Sequence, residues 1–113
     1  MKKSILKKKT EIMTSNYLIG HAAERAAKAE LERQGFLVYK AVHTRFQHED
    51  IFRLFDLIAI NKHKVRLVQV KAGGLTNFTR NAIKSFEVPE NVSKELWKKN
   101  KFKRKNKWTI ECW

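Results

Sequence analysis

Leu54-Phe55-Asp56-Leu57-Ile58-Ala59-Ile60-Asn61-Lys62-His63-Lys64-Val65-Arg66-Leu67-Val68-Gln69-Val70-Lys71 is the stretch on which the reading of this chain turns. Its first seven residues are apolar except for Asp56. Asn61 to Lys64 make a polar connection of hairpin length. Val65 to Lys71 alternate as a strand does, until Gly73-Gly74 breaks the pattern. Two apolar strands joined by so short a turn are expected to be antiparallel neighbours. Asp56, near the start of one, and Lys71, at the end of the other, then come to the same end of the sheet. Gln69 and Lys71 are two residues apart and face the same way. A carboxylate buried in an apolar strand needs a cation or hydrogen-bond donors, so an acid, an amide oxygen and a lysine are expected to converge. On these three residues alone, a partly buried Asp56–Lys71 salt bridge with Gln69 incidental is the competing reading.

Upstream, Thr14, Ser15 and Asn16 are good N-caps for a helix expected over Tyr17 to Gln34, a run without proline. Ile19, Ala23, Ala27 and Leu31 share one face of it, and Gly35 is placed to end it as a C′ glycine. Glu24 sits mid-helix among Gly20, Ala23, Ala26 and Ala27, small neighbours that leave its carboxylate uncovered. Lys28 offers it an i,i+4 pair worth only a few tenths of a kcal/mol. Phe36 to Tyr39 reads as a strand, with Ala41 and Val42 included, and residues 43–53 as a polar loop. Downstream, Asn77 to Phe86 suggests a short helix with Ala82, Ile83 and Phe86 inward, ending before Pro89. Trp108, Ile110 and Cys112 alternate as a last strand. Lys101 to Lys107 form the turn before it, which would pair it with a strand near Leu96-Trp97. Together these elements predict an α/β fold, a central mixed sheet flanked by helices.

A chain of 113 residues with no internal repeat and no Gly/Ser/Pro linker is expected to be one domain over 1–113, with 1–13 a basic N-terminal tail. The formal net charge is +14, and a polyanionic partner would relieve that self-repulsion. Nucleic acid is favoured over an anionic membrane, because phosphate contacts release counterions. Between Lys94 and Lys107 eight basic groups stand against the single acid Glu95. Of these, Lys98, Lys99, Lys101, Lys103, Arg104 and Lys105 are the candidate phosphate contacts, a solvated face being the bland alternative. Trp97, Trp108 and Trp113 are read as core or interface residues before base-stacking platforms. The lone Cys112 excludes an internal disulfide, fits a reducing compartment and is expected buried in its strand. No run reaches transmembrane length, and MKKSILKKK lacks the apolar core of a signal peptide, so a cytoplasmic, DNA-associated protein is expected. His43, His48, Glu49 and Asp50 are read as a loop contacting DNA in preference to a zinc site.

A Glu on a helix, an Asp at the start of a strand and Gln-x-Lys ending the next resemble the PD-(D/E)XK nuclease superfamily. The chain is similar in particular to the archaeal Holliday-junction resolvase type. The likeness rests on Gly20-His21-Ala22-Ala23-Glu24-Arg25-Ala26-Ala27, Gln34-Gly35-Phe36, Phe55-Asp56-Leu57-Ile58-Ala59 and Val68-Gln69-Val70-Lys71. It covers residues 16–74. It implies a restriction-endonuclease-like core, a homodimer with apolar pairing surface near Trp113, and hydrolysis of DNA phosphodiesters. Branched DNA such as a four-way junction is the implied substrate, duplex DNA cut by a homing-type endonuclease the nearest alternative. It also implies Mg²⁺, with Mn²⁺ as an expected substitute, held by Asp56, the Gln69 side-chain oxygen and the Val70 carbonyl. Lys71 would orient the attacking water or stabilise developing charge, and Glu24 would assist at the metal. Two positions depart from the family pattern: Phe55 stands where a proline is usual and Gln69 where an acid is usual. The second removes one negative charge from the metal site, which keeps a DNA-binding protein with little catalysis as the rival reading.

Overall fold

The alternating run Val65–Lys71 is strand β3, at the centre of a five-stranded sheet in a computed structural model. The structure describes residues 2–42, 50–74, 76–100 and 107–113, with side chains from Leu18 onward. The elements run α1 (Lys2–Arg33), β1 (Leu37–Lys40), β2 (Leu57–Ile60), β3, α2 (Asn77–Ser85), β4 (Val92–Lys99) and β5 (Trp108–Cys112). Strand order follows the sequence from β1 to β5. β1–β2, β2–β3 and β4–β5 are antiparallel, while β3 and β4 are parallel and joined through α2, the crossover that a parallel pair requires. The fold is thus α/β, a mixed sheet with one described helix on each face.

The two faces divide the core. Ala23, Ala27 and Leu31 of α1 pack against Val38, Leu57, Ala59, Val68, Val70 and Trp97. On the other face Ile83 of α2 packs with Phe55, Leu67 and Leu96, and Phe86 lies at the edge of that cluster. α1 ends in a Schellman arrangement: Gly35 has φ 96°, Phe36 N–H donates to the Leu31 carbonyl, and Gly35 N–H donates to that of Glu32.

Several expectations are corrected. α1 starts at Lys2 rather than at the caps of 14–16. The residues ahead of those caps contain neither Gly nor Pro, so nothing forces the helix to begin there. β2 starts at Leu57 rather than Leu54, because Ile51 to Phe55 fold into a turn closed by a bridge between those two residues, with Phe52 and Arg53 at φ 53° and 58°. Cys112 is exposed: it lies on edge strand β5, on a face that α1, lying over β1, β2 and β3, does not reach. Trp113 is half-buried against the α2-side core, its backbone exchanging two hydrogen bonds with Lys94. Trp97 is fully buried, as expected of a core tryptophan, and Trp108 packs on it half-buried at the edge of that core. No described helix is long and apolar enough to cross a membrane.

Candidate active site

The site is built where β2 and β3 part. Their pairing ends at Leu57 opposite Val68, and one further step along that register sets Asp56 against Gln69. The Asp56 amide still donates to the Val68 carbonyl (2.9 Å). Beyond it the Asp56 Oδ2 accepts from the Val70 amide at 2.9 Å, so a side chain takes over a place that backbone would hold in a continued ladder. The side chains of Asp56 and Gln69 are thereby cross-strand neighbours, and Lys71 follows two residues on, on the same side of β3.

Glu24 reaches the same point from α1, and its carboxyl hydrogen-bonds that of Asp56. Both residues are buried, at 7% and 4% exposure. Two carboxyl groups in contact out of water cannot both ionise cheaply. Burial, opposed by the Val70 hydrogen bond and reinforced by the charges of Glu24 and Asp50, pushes the Asp56 carboxyl up to about 8. The acid is therefore protonated at neutral pH unless a cation takes the proton's place. Lys40 Nζ lies 3.5 Å from Glu24 Oε2, and His21 Nδ1 lies 4.0 Å from it. Lys28 pairs instead with Glu32 (4.0 Å), so the i,i+4 alternative for Glu24 is not formed. Nor is the Asp56–Lys71 salt bridge: among the described residues Lys71 takes part in no ion pair.

Gln69 holds the most telling atom. Its Oε1 is buried with no hydrogen-bond partner, a desolvation penalty of about 1–3 kcal/mol if nothing else occupies the space. Asp56 and Glu24 meet in carboxyl contact and the register sets Gln69 beside Asp56 on the next strand; all three carry hard oxygen donors of the kind Mg²⁺ prefers. The residues present thus fit a divalent cation. Among the described residues no group of three His, Cys, Asp or Glu side chains comes together, because the third oxygen here belongs to an amide. Gly20 does not bring α1 close to another part of the chain, since a Cβ there would meet nothing within 4 Å. Small neighbours do not leave Glu24 uncovered either.

Sequence reasoning missed Lys40 and His21, whose nearness to Glu24 depends on how α1 crosses β1. The basic run resolves unevenly. Lys94 is buried, its Nζ donating to the carbonyls of Lys84 (3.0 Å) and Phe86 (2.7 Å), so it secures the end of α2 and faces no solvent. Lys98 lies 3.7 Å from Glu111, and Lys99 is exposed. Lys101, Lys103, Arg104 and Lys105 lie outside the described residues, as do His43, His48 and Glu49. No family profile, no curated protein and no solved structure matches this chain.

Proposed function

We propose that the chain is a divalent-metal-dependent DNA endonuclease with a restriction-endonuclease-like core, acting on phosphodiester bonds of branched DNA. The observation that carries this reading is the buried Asp56–Glu24 carboxyl pair, with Gln69 Oε1 buried and unpartnered on the neighbouring strand and, among the described residues, no lysine or arginine in an ion pair with Asp56. A buried carboxyl pair of which one member, Asp56, has no cationic partner among the described residues is unfavourable as architecture alone and useful as a metal site. Asp56, Gln69 and Glu24 would hold the ion, with the Val70 carbonyl as the further donor that the family resemblance implies. When bound, it would supply Lewis acidity to the scissile phosphate and to the attacking water.

The chain's own residues do the rest. The Val70 amide fixes one Asp56 oxygen and leaves the other to face the site. Lys71, half-buried at the end of β3, carries the positive charge that meets the charge developing on the phosphate oxygens. The excess of lysine and arginine draws the polyanion to the surface.

A cleavage assay on a four-way junction, a flap and a linear duplex of matched sequence, with Mg²⁺ and with EDTA, tests the reading. Cutting in Mg²⁺ alone, lost by about 10²-fold or more in Lys71→Ala and abolished in Asp56→Ala, is the expected result. Undiminished cutting by Asp56→Ala would overturn it. A second reading, a DNA-binding protein with little catalysis, is favoured by one observation: position 69 carries an amide in place of a carboxylate.

A further inference from the structure

Beyond the catalytic residues, α1 and the β4–β5 hairpin enclose a groove of about 600 Å³, lined by Ala26, Ala29, Glu30, Arg33, Lys99, Asn100, Lys107 and Trp108. Ala26, Ala29, Glu30 and Arg33 recur at helical spacing along the flank of α1 beside the face that packs on the sheet. Ala26 is two residues along α1 from Glu24, so this wall of the groove begins within one helical turn of the catalytic acids, on a different side of the helix. The other wall starts at the same end of the sheet, since Lys71 lies opposite Lys98 in the β3–β4 register and Lys99 follows directly. The hairpin stem that carries it is closed by the Asn100 amide donating to the Lys107 carbonyl at 2.8 Å.

The lining has a definite chemistry. Lys99 and Lys107 are exposed, and neither forms an ion pair among the described residues. The acid of the groove, Glu30, is engaged by Arg33, whose Nε donates to it at 2.8 Å. Arg33 and the proximity of Lys107 help hold its carboxyl down at about 2. The groove therefore stays net positive. Trp108 forms the apolar part, half-buried, with its ring centroid 5.3 Å from that of Trp97. A tryptophan braced by a second ring beside two free ammonium groups has the parts of a single-strand subsite: a π-face for a base and cations for the flanking phosphates. Its volume is within the range of pockets that hold a small ligand, enough for an unpaired nucleotide.

We infer that this groove binds an unpaired DNA strand leaving the catalytic end of the sheet, with Trp108 stacking on a base and Lys99 and Lys107 on its phosphates. The inference rests on the nuclease reading for its choice of DNA and gives that site a substrate class: DNA with a single-stranded arm.

The test is binding in EDTA, where no cleavage occurs, by fluorescence anisotropy of a fluorescein-labelled oligothymidylate and of a short duplex. The proteins are the full-length wild type, Trp108→Leu, Trp108→Phe and the double variant Lys99→Gln/Lys107→Gln, each checked for an unchanged thermal transition. The double variant is expected to flatten the salt dependence of single-strand binding by about 1.4 log units per log unit of salt, at roughly 0.7 per phosphate. Trp108→Leu is expected to weaken single-strand binding about 5- to 100-fold with the salt slope unchanged, and Trp108→Phe to retain most of the affinity. Should Trp108→Leu fail to fold, the double variant decides alone, since both lysines are exposed. Unchanged single-strand affinity and slope in the double variant, or an equal loss on duplex, overturns the inference. A wild type that binds the oligonucleotide through these residues yet cuts nothing in Mg²⁺ sinks the nuclease reading and leaves the groove standing. Cutting that persists with no effect of the groove variants does the reverse.

Discussion

At position 69 the amide leaves a buried oxygen with no partner, in a place where a glutamate would set a third carboxyl group near Asp56 and Glu24. This makes Gln69 the residue that separates an active enzyme from a silent binder. If its oxygen is a metal ligand, Gln69→Ala deletes a donor and should abolish cleavage at ordinary Mg²⁺ concentrations. Gln69→Glu should lower the Mg²⁺ concentration at half-maximal rate, because charge strengthens a hard-cation site. Its maximal rate need not rise, since the added charge also repels the phosphate. A Mg²⁺ titration of cleavage by the three proteins decides the matter. Gln69→Ala matching wild type at every Mg²⁺ concentration would reduce Gln69 to polar filler, and activity gained only in Gln69→Glu would favour the binder. The motif residues were legible in the sequence because spacing within a hairpin fixes which residues share an end and a face. The direct Glu24–Asp56 contact and the approach of Lys40 were not, because they depend on the angle at which α1 crosses the sheet.

Among the elements, two of the left-handed residues make opposite predictions. Gly35 at φ 96° closes α1, and a side chain there meets no atom within 4 Å, so the cost of Gly35→Ala is conformational. A loss of about 1 kcal/mol is expected in denaturant unfolding. Arg53 at φ 58° is strained as any non-glycine is in that region, and its side chain is exposed. Arg53→Gly should therefore be neutral or gain up to about 1 kcal/mol, the relief of strain being offset in part by added freedom in the unfolded chain. A clear loss on Arg53→Gly would mean that the guanidinium does more than sit in solvent. This turn also explains an error of sequence reading: with no glycine among residues 50–55, nothing in the sequence signals that the strand must wait until Leu57. β3 and the Gly35 stop were legible because their signals are local. β4 was legible only around Leu96-Trp97, because Lys94 and Glu95 look like surface charges. Their partners are distant: the carbonyls of Lys84 and Phe86 for one, and Arg66, Ser93 and Trp97 for the other.

For the whole molecule, the buried acid pair would couple the proposed metal binding to stability. Glu95, whose hydrogen bonds from Arg66, Trp97 and Ser93 outweigh burial and lower its carboxyl, favours the folded state above the ordinary carboxylate range and loses that contribution on acidification. Asp56 acts in the opposite sense. Its carboxyl lies near 8 when folded and about 3.9 when unfolded. Between these values the folded state binds a proton that the unfolded state lacks, so stability falls as pH rises from about 4 to about 8. The slope from this group is at most about 1.4 kcal/mol per pH unit, and it is flat outside that window. Asp56→Asn isolates the effect. Asparagine keeps an acceptor for the Val70 amide and a donor toward Glu24, imitating protonated Asp56 at every pH. The melting temperature of Asp56→Asn is therefore expected to exceed that of wild type at pH 8, with the gap closing as pH falls toward 4. The contributions of Glu95 and of acids that do not interact with Asp56 cancel in the difference, which therefore reads the Asp56–Glu24 pair. Adding Mg²⁺ at pH 8 should raise the wild-type transition more than that of the variant, because a ligand that binds the folded state stabilises it by mass action and Asp56→Asn lacks a charged ligand. A pH-independent gap would mean that Asp56 is already ionised and balanced in the folded protein, and a Mg²⁺ shift of equal size in both proteins would place the ion elsewhere.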